Sequence, residues 1–182
     1  AILLRRLKRS TARPRKNIYY RYLRKKKPFL GKLKKKAKMK GVLLVNLGSP
    51  DSPQPADVKT YLSEFLMDER VIDLPQLART LLVKGIILNT RPKKSAKAYQ
   101  KIWWEEGSPL IVLSERLQEK IQQKVSVPVV LAMRYGSPSI QSGLEELNKK
   151  GVTDVFIIPL YPQFAMATTE TILVLAEQIR KA

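Results

Sequence analysis

The chain has no cysteine and no histidine. Without cysteine, disulfides, thiolate zinc sites and iron–sulfur ligation are excluded. Without histidine, the commonest general base and the commonest metal ligand are both missing. Any metal held by this chain alone would take carboxylate, carbonyl or water oxygens, and a Ser-His-Asp triad is ruled out. Both glycine-rich phosphate cradles, G-x-G-x-x-G and G-x-x-x-x-G-K-[ST], are also missing. No stretch approaches the roughly 18 consecutive apolar residues of a transmembrane helix. The opening AILLRRLKRS has too short an apolar run and the wrong charge order for a secretory signal. A cytoplasmic setting, at most peripheral to a membrane, is expected.

Acidic residues are scarce where basic ones are dense. Residues 1–40 hold 18 of the 35 lysines and arginines and no Asp or Glu, whereas the rest of the chain carries 17 basic and 15 acidic residues. The net charge of +20 therefore belongs almost wholly to a leader in front of a near-neutral body. Runs such as Lys25–Lys27 and Lys34–Lys36 repel themselves, so residues 1–38 read as a basic N-terminal extension, disordered or ordered only by an anionic partner. Tyr19, Tyr20, Tyr22 and Phe29 lie among the cations, a mixture that can stack on bases or sit at a headgroup interface. Nucleic acid or the ribosome, and an anionic membrane surface, are the partners this composition suits. A bland tail foreign to the natural protein is the alternative.

From Met39 the texture changes. Gly41–Gly48 (GVLLVNLG) is an apolar run bounded by turn residues, as in a strand buried on both faces. Val58, Leu62, Phe65 and Leu66 set a helical spacing over Ala56–Met67. Val71–Leu74 reads as a short extended piece, and Pro75–Leu88 as a strongly apolar helix. Pro92 is expected to open a further helix reaching Trp103, and Ser108 with Pro109 to cap and open another through Val125. Pro128–Tyr135 and Val152–Tyr161 read as further strands. Ser139–Lys150, closed by Gly151, and Thr168–Lys181 read as helices. The order β, helices, β, α, β, α predicts an α/β fold, a three-layer Rossmann-like lobe with a parallel sheet. Ligands of such sheets collect at the carboxyl ends of the strands, here Asn46–Pro50, Arg134–Pro138 and Tyr161–Thr169. An ordinary strand-to-helix turn at each end is the alternative, and residue patterns alone name no chemistry there.

Four segments in order, GVLLVNLGSPDSP, RPKKSAKAYQKIWWEEGSPL, AMRYGSPS and LYPQFAMATTET, together resemble the ferrochelatases, which insert ferrous iron into protoporphyrin in haem biosynthesis. The resemblance runs from Met39, where bacterial members usually start, to Ala182. It implies a chelatase-like fold of two similar lobes around a porphyrin cleft, with residues 39–182 as the N-terminal lobe. By motif, Asn46, Leu47 and Ser49 would line the cleft floor. Arg91 would approach the propionates, although NTRPKK carries fewer arginines there than some members do. Tyr99, Ser108, Pro109, Arg134, Tyr135, Tyr161, Gln163, Thr168 and Thr169 would complete the porphyrin-binding set, with Arg134 on the metal side. Leu81, Leu82, Ile86 and Ile87 would form an apolar, membrane-facing lip; a core helix is the other reading of that stretch. Trp103 and Trp104 are assigned to packing.

The resemblance also implies no tightly bound cofactor, ferrous iron and protoporphyrin being substrates, and no metal ligand or catalytic residue in this chain. The family's histidine base and its partner glutamate would lie beyond residue 182, so the lobe alone is expected to be inactive, its second lobe missing. A non-catalytic chelatase-like lobe on an RNA- or ribosome-associated basic protein is the competing function. A chelatase for another tetrapyrrole or metal is a third.

Overall fold

The computed structural model describes residues 38–182 and the backbone of Arg21–Tyr22. The remainder of the 1–38 extension, and with it the expectation of disorder, lies outside the described residues. Arg21–Tyr22 forms a two-residue strand, β1, paired antiparallel with the strand β4 (Asp154–Pro159). The body is built on three parallel strands, β2 (Lys40–Asn46), β3 (Val129–Met133) and β4, so that the sheet runs β1-β4-β2-β3. The first parallel strand therefore lies central, flanked by the two that follow it.

Alternation along β2 explains why its sequence is apolar throughout. Leu43 and Val45 point to one face, where they meet Val130, Ala132, Val155 and Ile157 of the sheet. That face is covered by α5 (Ile140–Lys149) through Ile140 and Leu147, and by α6 (Thr171–Lys181) through Ile172 and Ala176. Leu44 points to the other face with Val129, Leu131 and Met133, against Leu110, Ile111 and Ile121 of α4 (Pro109–Gln122). With both faces covered, neither side of the strand can be polar. The three-layer α/β arrangement follows.

The helical segment after β2 departs from the expected boundaries. Helix α1 (Pro55–Met67) ends where predicted, but Val71–Leu74 is a turn and not extended. Arg79, on the short α2 (Gln76–Thr80), is buried and donates from Nη1 to the carbonyls of Ile72 (3.3 Å) and Leu74 (3.0 Å), which satisfies the turn's backbone. The chain then continues without a break through a π-helical stretch, Leu81–Ile87, into α3 (Leu88–Ile102). Pro92 lies inside α3 and is buried; it does not open a helix. Its ring clashes with a carbonyl four residues back in a regular α-helix. The widened turns just upstream are a place for the helix to absorb that conflict. The Asn89 side-chain amide donates back to the carbonyls of Gly85 (2.8 Å) and Lys84 (3.2 Å) in this stretch. Val83 and Leu88 anchor this segment against Leu66 of α1.

The remaining boundaries fall within a few residues of those expected. Ser139 caps α5 by accepting from the Ser142 N–H at 3.1 Å. Gly151, with φ of +80°, follows the same helix as anticipated. Ser108 occupies the cap position of α4, yet its side chain makes no capping bond. The last helix begins with a π turn, Met166–Glu170, that leads directly into α6. Among the described residues no helix is long and apolar enough to cross a membrane.

Candidate functional site

The carboxyl ends of β2 and β3 are joined past their last strand residues. The Arg134 N–H donates to the Asn46 carbonyl (2.8 Å) and the Tyr135 N–H to the Leu47 carbonyl (2.9 Å). This zipping brings Asn46, Leu47, Arg134 and Tyr135 to one end of the sheet. Tyr161, half-buried, follows β4 at the same end, where the Leu160 N–H donates to the Val45 carbonyl (2.8 Å). Asn46 is not free: its Nδ2 donates to Ser114 Oγ of α4 (3.0 Å), and its Oδ1 accepts from the Leu47 N–H (2.8 Å). Its amide braces the floor against α4.

At the centre stands a residue the sequence reading did not name, Asp68, immediately after α1. Its Oδ2 accepts from Arg134 Nη2 (2.6 Å), from the Tyr135 hydroxyl (2.9 Å) and from the Thr171 hydroxyl, while Oδ1 accepts from the Arg70 N–H (2.8 Å). Thr171 in turn accepts from Arg134 Nε at 2.6 Å. One carboxylate thus ties the end of α1 to the end of β3 and the start of α6. The only sequence signal was indirect. A carboxylate at a helix C-terminus meets the negative end of the helix dipole, so it needs partners from elsewhere.

Aromatic packing completes this wall. Tyr61 stacks on Phe65 at 6.1 Å between ring centroids, Phe65 meets Tyr135 edge-on at 5.4 Å, and the Tyr61 hydroxyl donates to the Gly48 carbonyl (3.2 Å). The Arg134 guanidinium lies 4.4 Å from the Tyr135 ring centre. Burial pushes the Tyr135 phenol up to about 12, against the opposing pull of Thr171 and Arg134, so it is a hydroxyl donor at neutral pH. Tyr61 is raised further by burial and by Tyr99, Tyr161 and Tyr135 around it.

The other residues named from sequence are more scattered. Tyr99 is half-buried on α3, edge-on to Trp103 at 6.2 Å. Ser49 is buried and its hydroxyl has no partner among the described residues; it lines a small recess of about 110 Å³ with Tyr61, Glu64 and Gly136. Arg91 is exposed on α3 and makes no ion pair among the described residues. Ser108 is buried and Pro109 half-buried at the start of α4, and Gln163 is exposed. Thr169 is buried, whereas Thr168 turns back to the Ala165 carbonyl (3.3 Å). Of this threonine-rich run it is Thr171 that enters the Asp68 network. Among the lip residues Leu81 is 64% exposed and Ile86 59%, with Leu82 and Ile87 half-buried. The stretch is therefore split between core and surface. No group of His, Cys, Asp or Glu suited to a metal occurs among the described residues.

The Asp68 carboxyl experiences a desolvation that raises it, outweighed by the bonds from Thr171, the Arg70 N–H, Tyr135 and Arg134, so it is held below its ordinary 3.8. A carboxyl depressed on folding contributes stability that is fully present above the unfolded value and is lost as pH falls through the folded one. Urea unfolding of the chain is accordingly expected to show a stability loss setting in below about pH 4. Asp68→Asn should be less stable than the parent at neutral pH and should lack that part of the acid loss.

Residues 39–182 match the family model described as ferrochelatase. The chain is 55% identical over 142 residues to a ferrochelatase of Azotobacter vinelandii, covering 78% of this chain and 42% of that protein. It is 54% identical over 142 residues to one of Pseudomonas savastanoi pv. phaseolicola, with the same coverage. To one of Vibrio atlanticus it is 50% identical over 135 residues, covering 74% of this chain and 42% of the relative. The chain thus spans about two fifths of the length of the curated relatives it matches.

Proposed function

The chain belongs to the ferrochelatase family through residues 39–182, and we propose that these residues form one wall of a porphyrin cleft in an enzyme that inserts ferrous iron into protoporphyrin. The observation that carries the reading is the gathering of Asn46, Leu47, Arg134 and Tyr135, with Tyr161 just after β4, at the carboxyl end of the parallel sheet, where ligands of such folds bind. Macrocycle metallation needs a surface that holds the ring, a polar route for the cation, and a base for two pyrrole protons. The half-buried aromatic residues and the Leu47–Ser49 turn suit the first need, and Arg134 with its partners the second. Tyr99, Ser108, Pro109, Gln163, Thr168 and Thr169 belong to the same proposed surface, with Arg91 near the propionates.

The third need is unmet by the residues of this chain. There is no histidine, and the carboxylate at the centre, Asp68, is already occupied by three side-chain donors and one backbone N–H. A carboxylate held charged by four donors is a poor proton acceptor. The lobe on its own is therefore proposed to bind porphyrin without metallating it. The exposed Leu81 and Ile86, with Leu77 beside them at 74% exposure, suit contact with the lipid surface that carries an apolar substrate. The cationic leader is a separate, anion-binding appendage in this reading.

Protoporphyrin titration of the full chain, followed by the Soret band and by tryptophan quenching, tests the proposal. Saturable binding, weakened about tenfold or more in Arg134→Ala, is expected, since charge-assisted contacts are among the strong ones. No formation of zinc or iron porphyrin should follow when the metal is added. Absence of binding overturns the reading, and turnover by the chain alone overturns its second half.

A further inference from the structure

Arg134 has three nitrogens, and two of them are committed. Nη2 donates to Asp68 at 2.6 Å and Nε to Thr171 at 2.6 Å, the same Thr171 that donates to Asp68. Nη1 takes no acceptor among the described residues, and the side chain keeps 18% of its surface exposed while that of Asp68 keeps 5%. The Tyr135 ring, against the guanidinium at 4.4 Å, and its hydroxyl on Asp68 fix the plane from another direction. A planar fork held at two of its nitrogens cannot rotate about its last bonds.

We propose that Asp68 is the positioning residue of this site, fixing Arg134 so that the single edge at Nη1 is the donor offered to the ligand. This rests on the reading of the sheet end as a porphyrin site. Thr171 is the second point of the clamp and Tyr135 the side wall. Asp68 touches no ligand in this scheme; it acts through Arg134 by removing rotational freedom before binding, so that none is lost on binding. The one charge it carries also balances the guanidinium. The donor is then presented without a free cation that would hold any passing anion.

Two measurements test this on the full chain. In the arginine-labelled protein, the Arg134 Nε–H and Nη–H resonances should show restricted rotation without any ligand, and Asp68→Asn should release it while the rest of the amide spectrum is retained. In porphyrin titrations Asp68→Asn should weaken binding about tenfold in the parent background and less than about twofold when Arg134 is already Ala, because a residue acting through another loses its effect with it. Thr171→Val should show the same dependence to a smaller extent. Equal losses in both backgrounds, or unrestricted rotation of Arg134 in the parent, overturn the assignment and leave the porphyrin reading standing. Failure of the parent chain to bind porphyrin removes the reading and the assignment together.

Discussion

Gly48→Ala is expected to cost the lobe about 4 kcal/mol or more and to abolish the site with it, a loss of the size reserved for backbone conflicts. Gly48 has φ of +111°, a region that residues with a side chain rarely adopt. A methyl built there would lie 1.8 Å from the Tyr135 carbonyl oxygen, which is backbone and cannot turn aside. The conflict falls where the two strand ends are zipped, between the Leu47–Tyr135 and Asn46–Arg134 hydrogen bonds and the Tyr61 bond to the Gly48 carbonyl. Relief requires the Leu47–Ser49 turn to move off β3, and that separates the residues assigned to porphyrin. Urea unfolding should register the loss of stability. The remaining folded protein should bind protoporphyrin far less well than the parent. A variant as stable as the parent would show that the turn is free to relax, and that the close approach is incidental.

Leu43→Ala is expected to lower stability by about 2–5 kcal/mol while sparing the affinity of whatever remains folded, the range for deleting a buried leucine. Leu43 is fully buried in the centre of β2, on the face that α5 and α6 cover. The Gly143 backbone of α5 packs so closely that a Cβ there would lie 2.8 Å from Leu43 Cδ1. A side chain replaced by alanine therefore leaves a void walled partly by backbone, which collapses poorly, and the upper part of the range is the expectation. The denaturant midpoint should fall at nearly constant slope. Porphyrin affinity at low denaturant should stay within about twofold, since the 43 side chain faces away from the sheet end. The two variants together separate a loss of fold from a loss of site.

The residues around Asp68 show why the site was only partly legible in the sequence. Arg134 and Tyr135 follow directly on a buried strand, and Asn46 ends another, so strand ends alone pointed to them. Asp68 belongs to no strand end, and Thr171 opens a helix two residues after Thr169, the second of the threonines that stood out by motif. Both enter the site only because α1 and α6 are brought to the same corner by packing. Tyr61 was invisible for a related reason: on α1 it reads as one more aromatic of a helix, and its bond to Gly48 joins positions that only the turn after β2 brings together.

Local chemistry was enough for most of the architecture. Apolar runs bounded by turn residues located β2, β3 and β4, and the Ser139 cap and Gly151 marked the ends of α5, because these signals act within a few residues of where they occur. The charge segregation between residues 1–40 and the body, and the absence of histidine and cysteine, are likewise complete in the sequence. Pro92 is the instructive exception. Proline's usual preference would begin a helix there, but the packing of Val83 and Leu88 against Leu66 holds one continuous helical path, with π-helical turns just upstream of the ring. The sequence by itself determined the layers, the strands and the candidate pocket end. Only the tertiary structure decided which carboxylate organises that end, because a hydrogen-bond network spanning as many as 103 positions in sequence leaves no local trace.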